Sequence, residues 1–156
     1  MDETYHIVNT LLYEGSEGAV SINVVIDKDK ETMWATQKTM AELFNVDRSV
    51  ITRHLKNIYD DGELSKSSTC AKIAHVQQEG NREVKRQTTF YNLDAIISVG
   101  YRVNSKNATH FRIWATGVLK EFMVKGFVLD DELLKNGTRF GKDYFDELLE
   151  RIREIR

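Results

Sequence analysis

"TMAELFNVDRSVITRHLKNI", Thr39 to Ile58, reads as two short helices meeting at a tight corner. Met40, Leu43 and Phe44 recur at helical spacing with the small Ala41 beside them, and Thr36 supplies the hydroxyl that starts such a helix. "NVD" then breaks the pattern. Asp47 is placed to cap a second helix, because its carboxylate accepts the orphan amide hydrogens of a first turn. That helix is expected from Arg48 to about Asp60, with Val50, Ile51, Leu55 and Ile58 as its buried stripe. Asn45 stands where a corner of this kind favours glycine, and asparagine tolerates the left-handed conformation needed there.

The outward residues of the second helix are Arg48, Ser49, Thr52, Arg53 and Lys56. A helix that enters the major groove of DNA needs polar side chains near its N-terminus. Arginine bonds guanine O6 and N7 as a fork, threonine touches a thymine methyl or a phosphate, and a lysine one turn later suits the phosphate backbone. The same pattern also fits an ordinary helical corner whose charges form a solvated face.

Net charge is -2 over 156 residues, which is not the balance of a polyanion binder. The distribution is uneven. Residues 1–33 hold seven acids and two bases, residues 34–126 nine acids and fourteen bases, and residues 127–156 eight acids and six bases. Only the middle block is basic, and a polyanion responds to charge within a Debye length of about 8 Å.

The flanking sequence is mixed. "HIVNTLLYEG" and "AVSINVVID" read as two strands around the turn "GSEG", the second alternating Val20, Ile22, Val24 and Ile26 with polar residues. "KDKE" makes another turn before Thr32–Trp34. After a polar loop, "DDGELSKSS", arms from Cys70 to Gln78 and from Arg82 to Tyr91 form a hairpin, with the Gly-Asn pair of "EGNR" supplying positive φ angles. Arg82, Lys85 and Arg86 make its outgoing arm basic, in the position of a wing beside the sugar-phosphate backbone. Asn92 caps a helix, and a longer one follows in which Phe111, Trp114, Val118 and Phe122 share a face.

In the final stretch, "YFDELLERIREIR", Phe145, Leu148, Ile152 and Ile155 follow coiled-coil spacing, and Glu147 with Arg151 makes an i,i+4 pair. Homodimerisation is expected through this helix, from about Asp143 onward, in a chain cut inside a helix that continues further. The expected organisation is a DNA-binding domain over 1–126 (corner about 36–60, hairpin about 69–91, helices about 92–126) and a helical extension over 127–156.

Three blocks carry a resemblance: "WATQKTMAELFNVDRSVITRHLKNIYDDGEL", "CAKIAH" and "YNLDAIISVGYRVNSKNATHFRIWATGVLKEFMVKGF". Together they look like the N-terminal region of the RhuM family of bacterial virulence-associated proteins, over roughly residues 30–130. The resemblance implies a full protein about twice this length. The last block is similar, more distantly, to the Bro-N domain of phage antirepressors, with Tyr101, Arg102, Ser105, Lys106, Phe111, Arg112 and Trp114 as matching positions. That likeness implies a DNA-associated module, with Arg102, Lys106 and Arg112 as contacts. Neither family implies an enzymatic activity or a cofactor.

The residues themselves leave two readings for that block. Arg102, Lys106, Arg112, Lys120 and Lys125 against Glu121 make it basic, yet Phe111 and Trp114 at helical spacing suit a core. Arg102 and Arg112 are then phosphate contacts or partners for Asp94 and Glu121.

His6, His54, His75 and His110 show no metal-ligand spacing with Cys70, and no phosphate loop, nucleophile elbow or HExxH motif is present. Asp60, Asp61 and Glu63 read as a solvated turn, or with His54 as a nuclease constellation. A single cysteine forms no internal disulfide, no apolar run reaches the roughly 18 residues of a membrane span, and the acidic start is unlike a signal peptide. The expectation is a cytoplasmic, non-enzymatic α+β protein without cofactor or metal. Its parts are a small antiparallel sheet or hairpins, a winged or Bro-N-like helix-turn-helix, and C-terminal helices. The expected function is double-stranded DNA binding by a bacterial or prophage-type transcriptional regulator; the alternative is a protein-interaction module of antirepressor or effector type.

Overall fold

Strands β1 (Tyr5–His6) and β2 (Val8–Gly15) are separated by Ile7 alone, yet they stand at opposite ends of one six-stranded sheet. In a computed structural model, which describes residues 5–15 and 17–136, the strand order is β1-β5-β6-β4-β3-β2. The remaining strands are β3 (Gly18–Asp27), β4 (Thr32–Ala35), β5 (Cys70–Glu79) and β6 (Arg82–Asn92). Because both ends of the order belong to one short segment, the sheet curls until they meet at Ile7.

Two local expectations change. The single strand expected across "HIVNTLLYEG" is divided at Ile7, and β1 pairs in parallel with β5, so the sheet is not wholly antiparallel. Only closure of the curl brings a strand from the start of the chain beside one more than sixty residues later. The polar loop after Gly62 also contains a one-turn helix, α3 (Lys66–Thr69). Its buried Thr69 donates to the Ser65 carbonyl at 2.7 Å and meets the Tyr59 hydroxyl at 3.0 Å.

The inner face of the curl packs Val25, Trp34 and Phe90 together, with Tyr5, Ala71 and Ile73 against them. These positions follow from the register: Val25 faces Trp34, Ala71 faces Phe90, and directly opposed residues share a face. At the hairpin tip Glu79 pairs with Arg82 across Gly80 and Asn81. Gly80 alone of the two takes the positive φ, 62°, so the glycine rather than the pair makes this turn.

Helices α1 (Gln37–Phe44) and α2 (Arg48–Asp60) form as the corner sequence predicts. The Thr36 hydroxyl accepts from the Thr39 amide, and the Asp47 carboxylate accepts from the Ser49 amide and hydroxyl. Asn45 lies in the left-handed region at φ 52°, and the Val46 amide closes back onto the Ala41 carbonyl at 3.0 Å. Helix α4 (Leu93–Arg102) is capped by Asn92, whose side chain accepts from Ala95.

Met40, Phe44, Ile51, Ile58, Ile96, Val99 and Phe111 are fully buried, and the Phe44 and Phe111 rings meet edge-to-face at 5.4 Å. Each such residue contributes about 1.5–3 kcal/mol by leaving water. Val50, expected in the stripe, is only half-buried, because it starts the helix beside the corner rather than over the core.

Helix α5 (Lys106–Asn136) begins where Ser105 caps it: the Ser105 hydroxyl accepts from Ala108 and donates to the Phe44 carbonyl at 2.6 Å. The chain forms two compact units, Met1–Arg112 and Ile113–Arg156. Phe111 is buried, whereas Trp114, Val118 and Phe122 are half-buried. The coiled-coil seam Phe145, Leu148, Ile152 and Ile155, and with it the dimer contact from Asp143, lies outside the described residues. No helix among the described residues is long and apolar enough to cross a membrane.

Candidate nucleic-acid interface

All five outward residues of α2, namely Arg48, Ser49, Thr52, Arg53 and Lys56, are exposed. The periodicity of α2 explains this: with Ile51, Leu55 and Ile58 turned inward, the residues off that stripe meet water. Arg48 and Arg53 have no ion-pair partner among the described residues. Lys56 stands 3.6 Å from Asp60, an exposed i,i+4 pair worth a few tenths of a kcal/mol. The Asp47 carboxyl is held below its ordinary value by the hydroxyl and amide of Ser49.

Thr52 and Ser49 are less free. The Thr52 hydroxyl donates to Oε1 of Gln37 at 2.5 Å, and the Gln37 amide donates to the Tyr91 hydroxyl at 2.9 Å. This chain ties α2 through α1 to β6. Burial raises the Tyr91 phenol above its ordinary value, against the lowering effect of that Gln37 bond. The Ser49 hydroxyl donates to the capping Asp47.

Among the hairpin cations, Arg82 and Lys85 are exposed without an ion-pair partner among the described residues. Arg86 instead forms a fork on Glu79, with 2.6 Å and 2.8 Å bonds across the two strands. Sequence spacing does not show this pair, because it depends on the hairpin register.

Two cations of the third block, Arg102 and Arg112, hold the fold. Arg102 reaches Asp61 at 3.1 Å and Glu63 at 3.7 Å, so the turn that carries these acids is exposed, as expected, and is also tied to the end of α4. Arg112 donates to the carbonyls of Gly100 and Val103 at 2.9 Å and 2.8 Å. Neither pairs with Asp94, which the sequence offered as a partner. Lys106 is exposed and stands 3.6 Å from Glu17. His54 is half-buried; burial, then Arg53 and Arg102, push its imidazole below the ordinary value. No group of three or more His, Cys, Asp or Glu among the described residues is arranged to hold a metal ion.

Beside Arg48 lies an open cleft of about 600 Å³ between the starts of α1 and α2 and the β5–β6 hairpin. His75, 3% exposed, lines it. Its Nε2 lies 2.9 Å from the Thr88 hydroxyl and its ring meets Phe90 edge-to-face, while Nδ1 is buried with no hydrogen-bond partner. Leaving such an atom unsatisfied costs about 1–3 kcal/mol. Sequence reading had no signal for this cleft, which assembles from α1, α2, β3, β5 and β6.

The molecule is therefore an α+β protein in which a capped helical corner and a long basic-armed hairpin project from a curled sheet. It belongs to the Virulence protein RhuM family, whose model matches residues 68–156, more than half of the chain. The matched span takes in the hairpin, α4 and α5 and begins after the corner helices. No match is found among curated proteins, and none among solved structures.

Proposed function

We propose that this protein binds double-stranded DNA as a transcriptional regulator of bacterial or prophage type, with α1–α2 acting as a helix-turn-helix and the β5–β6 hairpin as a wing. One observation carries the reading. The first two turns of α2 present Arg48 and Arg53 to solvent with no ion-pair partner among the described residues, beside a corner whose caps hold the helix rigid. Arg48, Arg53 and Ser49 meet base edges, Lys56 meets phosphate, and Arg82 and Lys85 meet the backbone beyond the groove. Thr52 positions the helix through Gln37. Two copies joined through the stretch from Asp143 onward would present two heads to a two-fold site.

A second reading, a protein-interaction module, has its own support: Ile113, Leu119, Met123 and Val124 on α5 are all more than half exposed. Fluorescence anisotropy with random duplex at about 50 and about 200 mM salt separates the two, since released counterions make DNA affinity fall steeply with salt. Arg48→Ala and Arg53→Ala should each weaken binding. Parent-like affinity in both variants would remove the assignment of α2, and no binding at the lower salt would favour the protein-interaction module.

A further inference from the structure

We propose that the cleft between α1, α2 and the hairpin is a binding site for a small phosphomonoester, the size of a mononucleotide. Its volume of about 600 Å³ falls in the range of small-molecule sites. Two cations line it, Lys38 in the first turn of α1 and Arg48 in the first turn of α2. Neither has an ion-pair partner among the described residues. The start of α1 lines the cleft as well, so first-turn amides add to the field that favours an anion.

The rest of the lining is built for a polar body rather than for a bare ion. Asn23, Gln77, Gln87 and Thr89 offer both donors and acceptors, as hydroxyls and ring nitrogens require. His75 lines the cleft too, with Nε2 held by the Thr88 hydroxyl and Nδ1 sealed from solvent without a partner. Glu42 also lines the cleft and disfavours an extended run of phosphates.

Arg48 belongs both to this cleft and to the outward face of α2, and Gln37 links the cleft to Thr52. A bound phosphomonoester therefore competes with DNA for Arg48 and lowers DNA affinity. That consequence rests on the DNA-binding reading; the site itself does not.

Titration calorimetry with inorganic phosphate, adenosine 5′-monophosphate and adenosine tests it without DNA. The two phosphate-bearing probes should bind and adenosine should not. Lys38→Ala, an exposed change off α2, should weaken the monophosphate about tenfold, as for loss of one charge-assisted bond. Adenosine binding as well as its monophosphate, or Lys38→Ala binding it as the parent does, overturns the site. Displacement of the monophosphate by a 5′-phosphorylated single strand but not by its unphosphorylated twin would make a strand end the source, and its absence a free nucleotide. A protein that binds the monophosphate but no duplex keeps the cleft and loses the DNA reading, and the converse loses the cleft alone.

Discussion

Arg112 donates from Nη1 to the Val103 carbonyl at 2.8 Å, so the end of α4 is closed by the first turns of the helix that follows it. The same nitrogen reaches the Gly100 carbonyl, and these are orphan acceptors of a helix terminus. Arg112→Ala should cost about 1–3 kcal/mol in urea unfolding, because the carbonyls of two buried residues lose a charged donor. Arg112→Lys should recover little of it, since an ammonium lacks the planar fork. An unchanged midpoint in both variants would show that the clamp is idle.

Gly100 faces Phe111. A Cβ built on it would lie 2.5 Å from a carbon of that ring, closer than real contacts allow. Glycine to alanine inside a helix ordinarily stabilises by up to about 1 kcal/mol. Here the ring must move within a packed core, and overpacking of this kind costs about 1–3 kcal/mol. Gly100→Ala should therefore lower the melting temperature, while Gly117→Ala, with open space at its Cβ, should not.

The corner offers a conformational test. Asn45 holds φ 52°, which a β-branched residue adopts only with strain of about 1–2 kcal/mol. Asn45→Val should destabilise by about that amount in chemical denaturation, and Asn45→Gly should be neutral or better. Equal stability of the two variants would mean that the corner relaxes out of the left-handed conformation.

His54 is expected to make the fold sensitive to mild acid. Burial, Arg53 and Arg102 depress its folded pKa below the ordinary 6.5, so the unfolded chain takes up the proton first. The stability contributed by the neutral ring is present above 6.5 and is lost as the pH falls through the depressed folded value. His54→Gln should show a smaller drop in melting temperature than the parent between about pH 7.5 and about pH 5. An identical drop in parent and variant would assign the acid sensitivity elsewhere.

Glu79 neutralises Arg86 on the hairpin. If the hairpin lies against phosphate, Glu79→Gln releases one more cation, and the slope of log affinity against log salt should steepen by up to about 0.9. A slope unchanged from the parent would place the hairpin away from the DNA.

The two corner helices were legible because their determinants are local. Thr36, Asp47, Asn45 and Asn92 each act within three or four residues of themselves, so a cap is visible in the string that it caps. The exposure of Arg48, Arg53 and Lys56 followed from the same periodicity. The roles of Arg86, Arg102 and Arg112 did not. Each is a cation whose neighbour in space was hidden by the distance in sequence or by the register of a hairpin. A basic block thus read as one surface divides into exposed charges and charges held by the fold.

By itself, then, the sequence determined where the helices start and stop and which of their faces meets water, since hydrogen bonding and periodicity operate over a few residues. Only the tertiary structure decided what the charges do and how the sheet closes. Arg102 finds Asp61 across 41 residues, and Tyr5 lies beside His75, because burial of Trp34, Phe90 and Phe111 brings those segments together. Apolar burial is non-directional, so a list of apolar residues does not specify which segments will meet.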